Sequence, residues 1–127
     1  MSIDFEKLSA HIFADAREDL DATQSILETG RARQAMLFAH LALEKALKAL
    51  VMGATRSAPP KVHDLKKLAE LAGLQPDQGT MEFLGIMNYY GLAGRYLEVP
   101  GREIRHAQAR SDFDKVKEIF EWLTNRP

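Results

Sequence analysis

The 127-residue sequence contains no cysteine, which excludes both a disulfide framework and a thiolate zinc site. It has no excess of one charge: 17 Lys and Arg stand against 18 Asp and Glu, a formal net charge of −1. Tight nonspecific binding to nucleic acid draws on clustered cations, so that behaviour is not expected. No apolar run reaches membrane-spanning length, because Glu44, Lys45 and Lys48 interrupt the best candidate. The opening MSIDFEKLSA has neither the basic nor the apolar region of a secretory signal, so cytoplasmic residence is the expectation. There is no Gly-rich phosphate cradle, no Walker motif and no GxSxG elbow. The four histidines, His11, His40, His63 and His106, never pair at i+3 or i+4. No carboxylate–histidine cluster has ligand spacing either, so neither a metal nor a cofactor is expected. Nothing alternates with period two over a strand length, and there is no internal repeat.

What is present is helical. Gln34 to Val51, QAMLFAHLALEKALKALV, is rich in alanine and leucine and lacks Pro and Gly, with Gly53 placed as a C-cap. A helix apolar on most faces belongs at the centre of a core. The charges on its second half therefore need partners, and Glu44 and Lys48 stand four apart in the favourable order. They either snorkel at the rim of a bundle or line a polar seam where a ligand, a partner or a second copy docks.

Upstream, Phe5, Leu8, Ile12, Ala16, Leu20, Thr23 and Leu27 recur at helical steps and predict one long amphipathic helix ended by Gly30. GATRSAPP, Gly53 to Pro60, reads as a loop. Asp64 is placed to cap a short helix, LKKLAELAGL, stopped by Gly73. Pro76-Asp77 restarts the chain into a fourth helix carrying Met81, Leu84 and Met87, its end loosened by Gly91 and Gly94. Ser111, with Asp114 three residues on, predicts the cap of a final helix that buries Phe113, Val116, Phe120 and Leu123. The expected fold is all-α: an up-down bundle of four long helices plus one short helix, a single domain over 1–127.

Asp64 is accounted for by capping alone, and His63 beside it has the chemistry to hydrogen-bond a neighbouring carboxylate or carbonyl. The stretch Arg95 to Arg110, RYLEVPGREIRHAQAR, is the most basic part of the chain and holds Arg95, Arg102, Arg105, His106 and Arg110. Guanidinium forks match two phosphate oxygens, and a histidine nearby suits acid–base work at neutral pH. Five helices from 127 residues leave a limited core. The apolar central helix together with Tyr89, Tyr90 and Tyr96 therefore leads to the expectation of a homodimer, with an interface of roughly 800 Å² per partner.

Taken in order, AREDLDAT with its stop LETGR, then AHLALEKALKAL, KVHDLKKL and NYYGLAGRYLEVP resemble the HEPN domain family of small helical bundles. The resemblance spans roughly Asp15 to Pro100 with a last helix in the expected place. It implies a polar arrangement in which His63 reaches back to Glu44 and Lys48, with Asp64 and the pair Arg95 and Tyr96 as further binding residues. It also implies a dimeric module that binds a nucleotide or similar anion or pairs with a separate nucleotidyltransferase subunit. The family's other branch implies an alternative, a metal-independent ribonuclease of a toxin–antitoxin pair acting on RNA, with Arg95, Arg102 and His106 as catalytic candidates. That branch sets four to six residues between its arginine and histidine. Here three residues separate Arg102 from His106 and ten separate Arg95 from His106, and Ala107 and Gln108 stand where some relatives have a tyrosine.

Overall fold

Asp4 opens the first helix by accepting the Lys7 backbone N–H, which satisfies one of the donors a helix start leaves free. The computed structural model describes residues 3–95 and 104–125. Five helices follow one another: α1 (Phe5–Glu28), α2 (Ala32–Thr55), α3 (Leu65–Leu71), α4 (Gln78–Arg95) and α5 (His106–Thr124). The described residues contain no strand. The all-α bundle of four long helices and one short one is the architecture expected.

Gly30, at φ 82°, makes the left-handed turn that folds α2 back along α1. Ser9 donates to the Ala49 carbonyl at 3.4 Å, and Lys45 pairs with Asp19 at 2.7 Å, the register of an antiparallel hairpin. α2 buries thirteen of its 24 residues, more than a one-sided helix can, and it touches α1, α3, α4 and α5. Among those buried are Ala35, Ala39, Ala42, Ala46, Ala49 and Val51, small side chains that let the surrounding helices close in.

Local boundaries differ from the sequence reading in three places. Gly53 lies inside α2 rather than capping it, and Arg56 (φ 51°) takes the left-handed cap, its N–H on the Met52 carbonyl. The extra turn is held by Thr55 Oγ1 on the Val51 carbonyl at 2.9 Å and by the Arg56 guanidinium 5.7 Å from the Phe5 ring. α5 starts at His106, so Ser111 is an interior, exposed residue and not a cap. Burial of Ala109 and Asp112 carries the face of Phe113, Val116, Phe120 and Leu123 one turn further upstream. Lastly, Gly91 and Gly94 do not loosen α4. A Cβ on Gly91 would lie 2.9 Å from the His40 ring, and one on Gly94 would lie 2.7 Å from Leu37 Cβ, so both glycines bring α4 tightly onto α2.

Other expectations stand as read. Asp64 accepts from the Lys66 and Lys67 backbone N–H groups and caps α3. Asp77 accepts the Thr80 N–H at 2.7 Å ahead of α4. Tyr90 and Asp112 join α4 to α5 through a buried 2.5 Å hydrogen bond, with Gln108 on the other carboxylate oxygen at 3.0 Å. Among the described residues no helix is long and apolar enough to cross a membrane.

Candidate functional site

Glu44 sits on the apolar central helix with its side chain 7% exposed, and four nitrogen-bearing groups converge on it. Its Oε2 accepts from Lys48 Nζ at 3.1 Å and from His63 Nδ1 at 3.0 Å. Its Oε1 faces His40 Nδ1 at 3.6 Å and Arg95 Nη2 at 3.7 Å. Burial pushes this carboxyl up, but the hydrogen bonds from His63 and Lys48, together with the charge on Lys48, outweigh it. They hold Glu44 below the usual carboxylate range. An ionised carboxylate only accepts, so His63 donates to it through Nδ1–H.

Three elements deliver these groups. Lys48 and His40 lie one turn to either side of Glu44 on α2 and share its face. His63 comes from the loop before α3, and that loop is pinned from α4. Asn88 donates to Asp64 Oδ1 at 2.8 Å and accepts the Leu65 backbone N–H at 2.9 Å. Arg95 ends α4 and donates through Nη1 to the Gly91 carbonyl at 3.2 Å. Because Gly91 lies flat against His40, this one contact of α4 with α2 also sets the guanidinium over Glu44.

His40 is buried, and burial lowers its pKa to about 4, with the Glu44 charge opposing and the Arg95 charge assisting. The imidazole is neutral at ordinary pH, so its approach to Glu44 is not an ion pair there. A pocket of about 320 Å³ opens over the cluster, lined by His40, His63, Asp64, Asn88, Leu92 and Arg95. A larger hollow of about 540 Å³ lies between the start of α1 and the ends of α2 and α3, but it has no comparable set of converging polar groups. The smaller pocket therefore holds the candidate chemistry. Among the described residues no group of three or more His, Asp or Glu is arranged to hold a metal ion.

The fold thus brings together Glu44, Lys48, His63 and Arg95, and it places Asp64 in the same wall. It does not bring His106 there. His106 is exposed at the start of α5 and lines a separate hollow with Arg31, Arg33 and Gln34. Arg102 and Tyr96 lie outside the described residues. His40, whose position one turn before Glu44 on the central helix predicts a core or interface histidine, is buried on α2 beside Glu44, whereas Asn88, a further member of the site, acts on a partner 24 residues away and carried no signal in the sequence.

Comparison with known proteins agrees with this architecture. No curated protein matches the chain. Among solved structures, the crystal structure of TT1696 from Thermus thermophilus superposes with a TM-score of 0.77 at 23% identity, covering 91% of this chain and 95% of that one. At that identity the likeness is one of fold. The model of the HEPN domain matches residues 10–126, nearly the whole length, and the chain belongs to the HEPN domain family.

Proposed function

We propose that this chain is a single-domain, noncatalytic binding module: a dimeric HEPN domain that takes a nucleotide-like anion under Arg95 and pairs with a separate nucleotidyltransferase. The observation that carries the reading is how the cluster's hydrogen-bonding capacity is divided. Glu44 Oε2 is occupied by Lys48 and His63, Glu44 Oε1 is buried away from solvent, and Asp64 is occupied by the α3 cap and Asn88. What remains turned toward the pocket is donor capacity from Arg95, whose side chain is 28% exposed and meets Glu44 only at 3.7 Å. A guanidinium held at one nitrogen with the rest free suits two oxygens of a phosphate.

The test is calorimetric titration of the full chain with a nucleoside monophosphate, beside Arg95→Ala. Binding by the wild type that the variant loses supports the module. No binding by the wild type retires the anion reading. The dimer is supported by Ile86 and Leu92, 48% and 50% exposed on α4, which leave apolar surface for a second copy to cover. Light scattering that finds a monomer at micromolar concentration removes that part. Pairing with a nucleotidyltransferase rests on family membership and on the near-neutral charge, and co-purification with such an enzyme from a neighbouring reading frame tests it.

A further inference from the structure

Four arginines and a histidine gather where α2 and α5 begin, and no carboxylate of the described residues pairs with any of them. Arg31, Arg33 and His106 line one hollow of about 460 Å³. Arg105 precedes His106, and Arg110 stands one turn beyond it on the same exposed face of α5. Three acids that flank the patch in sequence are engaged elsewhere. Glu28 accepts from Gln24 at 3.0 Å, Asp112 accepts from Tyr90 and Gln108, and Asp114 pairs with Lys117 at 3.4 Å.

These cations do not serve the fold. The start of a helix favours an acid or a capping oxygen and disfavours positive charge. Asp4, Asp64 and Asp77 meet that preference at the starts of α1, α3 and α4. At α2 and α5 the capping positions are Arg31 and Arg105, neither with a side-chain cap bond, and no acid stands in either first turn. Arginines crowded there oppose one another and the helix ends alike, and local rules are broken in this way chiefly at functional surfaces.

The kind of partner follows from the arrangement. Arg31, Arg105, His106 and Arg110 are exposed and Arg33 is half-buried, so the charges lie at a rim where they steer and pair with an approaching protein. Guanidinium forks match carboxylates two oxygens at a time. Single-stranded nucleic acid draws on aromatic faces to stack its bases, and the hollow of Arg31, Arg33 and His106 has none. A chain of net charge −1 also offers a long polyanion little to follow beyond this patch.

We infer that Arg31, Arg33, Arg105, His106 and Arg110 form a docking surface for an acidic segment of a partner protein. The surface lies apart from the pocket under Arg95 and does not depend on any ligand binding there.

The experiment titrates the full chain into two short labelled peptides, one of alternating Glu and Gly and one of alternating Gln and Gly, and into a single-stranded oligouridylate of the same charge as the first. Fluorescence anisotropy reads the binding. The glutamate peptide is expected to bind, the glutamine peptide is not, and affinity is expected to fall as salt is raised. The Arg31→Ala/Arg33→Ala variant is expected to lose at least roughly tenfold in affinity. Arg31→Asp is expected to melt higher than the wild type, since it sets an acid at a helix start, and to bind more weakly still. A merely structural arginine would not set stability against binding in this way. Should the double variant fail to fold, Arg31→Asp decides. Absence of glutamate-peptide binding by the wild type overturns the inference, and so does binding that the variants keep. Tighter binding of the oligouridylate overturns it in favour of a nucleic-acid surface. Self-association of the wild type that Arg31→Asp abolishes overturns it in favour of a second copy. A lower melt for Arg31→Asp overturns it too, because the arginine would then belong to the fold.

Discussion

Glu44 Oε2 and His63 Nδ1, 19 residues apart in sequence, meet at 3.0 Å. Through that hydrogen bond a carboxylate on the most buried helix holds an imidazole that is itself 68% exposed. The same carboxylate holds Lys48, so one side chain organises both the interior and the rim of the site.

Removing this carboxylate leaves Lys48, 17% exposed, without its counter-charge. The expected cost of Glu44→Ala is on the order of 3 kcal/mol, the range for breaking one partner out of a buried pair. A urea melt of the variant beside the wild type measures it. A loss near 0.5 kcal/mol, the value of an exposed pair, would retire the polar seam.

His40 makes stability depend on pH in a window of its own. Its folded pKa of about 4 lies below the ordinary histidine value of 6.5, so as pH falls the unfolded chain takes the proton first. The contribution is whole above 6.5 and is lost as pH falls toward 4. By pH 5 the loss is about 2 kcal/mol, since each unit is worth about 1.4. Glu44, also depressed, loses its stabilisation only below its own unfolded value of 4.5, so the interval from 6.5 to 5 isolates the histidine. Melts at pH 7.5 and 5 on wild type and His40→Asn are expected to differ in slope by this amount, and parallel slopes would refute the assignment.

Two glycines are expected to respond oppositely to alanine. Gly91 has the His40 ring 2.9 Å from where a Cβ would stand, while Gly53, inside α2, has nothing within 4 Å. Gly91→Ala is expected to cost about 1–3 kcal/mol through overpacking. Gly53→Ala is expected to gain roughly 0.5–1 kcal/mol by helix propensity. Thermal melts of both variants check this, and a neutral Gly91→Ala would show that α4 is not seated on His40.

The helical framework was legible because the three- and four-residue spacing of Leu20, Leu27, Leu43, Leu47, Phe113 and Phe120 survives into the core. The Glu44–Lys48 contact was legible for the same reason, since both lie on one stretch of helix. Ser111 misled because a serine followed by an acidic residue looks like a cap, whereas burial of Ala109 and Asp112 decides where α5 begins. Gly91 and Asn88 were misread or missed because their roles exist only once α4 meets α2 and the loop before α3. A close approach and a bond across 24 residues leave no local pattern.

The alternative reading, cleavage of RNA, meets its difficulty in the placement of Arg95 and His106. The arginine lines the pocket over Glu44 and the histidine lines a different hollow beside Arg31 and Arg33, so one chain does not assemble them into a composite site. Anion binding needs only donors, whereas cleavage also needs an acid and a base within about 3 Å of the reacting oxygens. The purified protein is therefore expected to leave total RNA intact in the absence of divalent metal. Incubation beside Arg95→Ala and His106→Ala provides the check. Cleavage by the wild type that both substitutions abolish would establish the enzyme, because two groups that line different hollows of one chain would then have to meet across a pair of chains. Intact RNA, with phosphate binding lost only in Arg95→Ala, is the outcome the geometry leads us to expect.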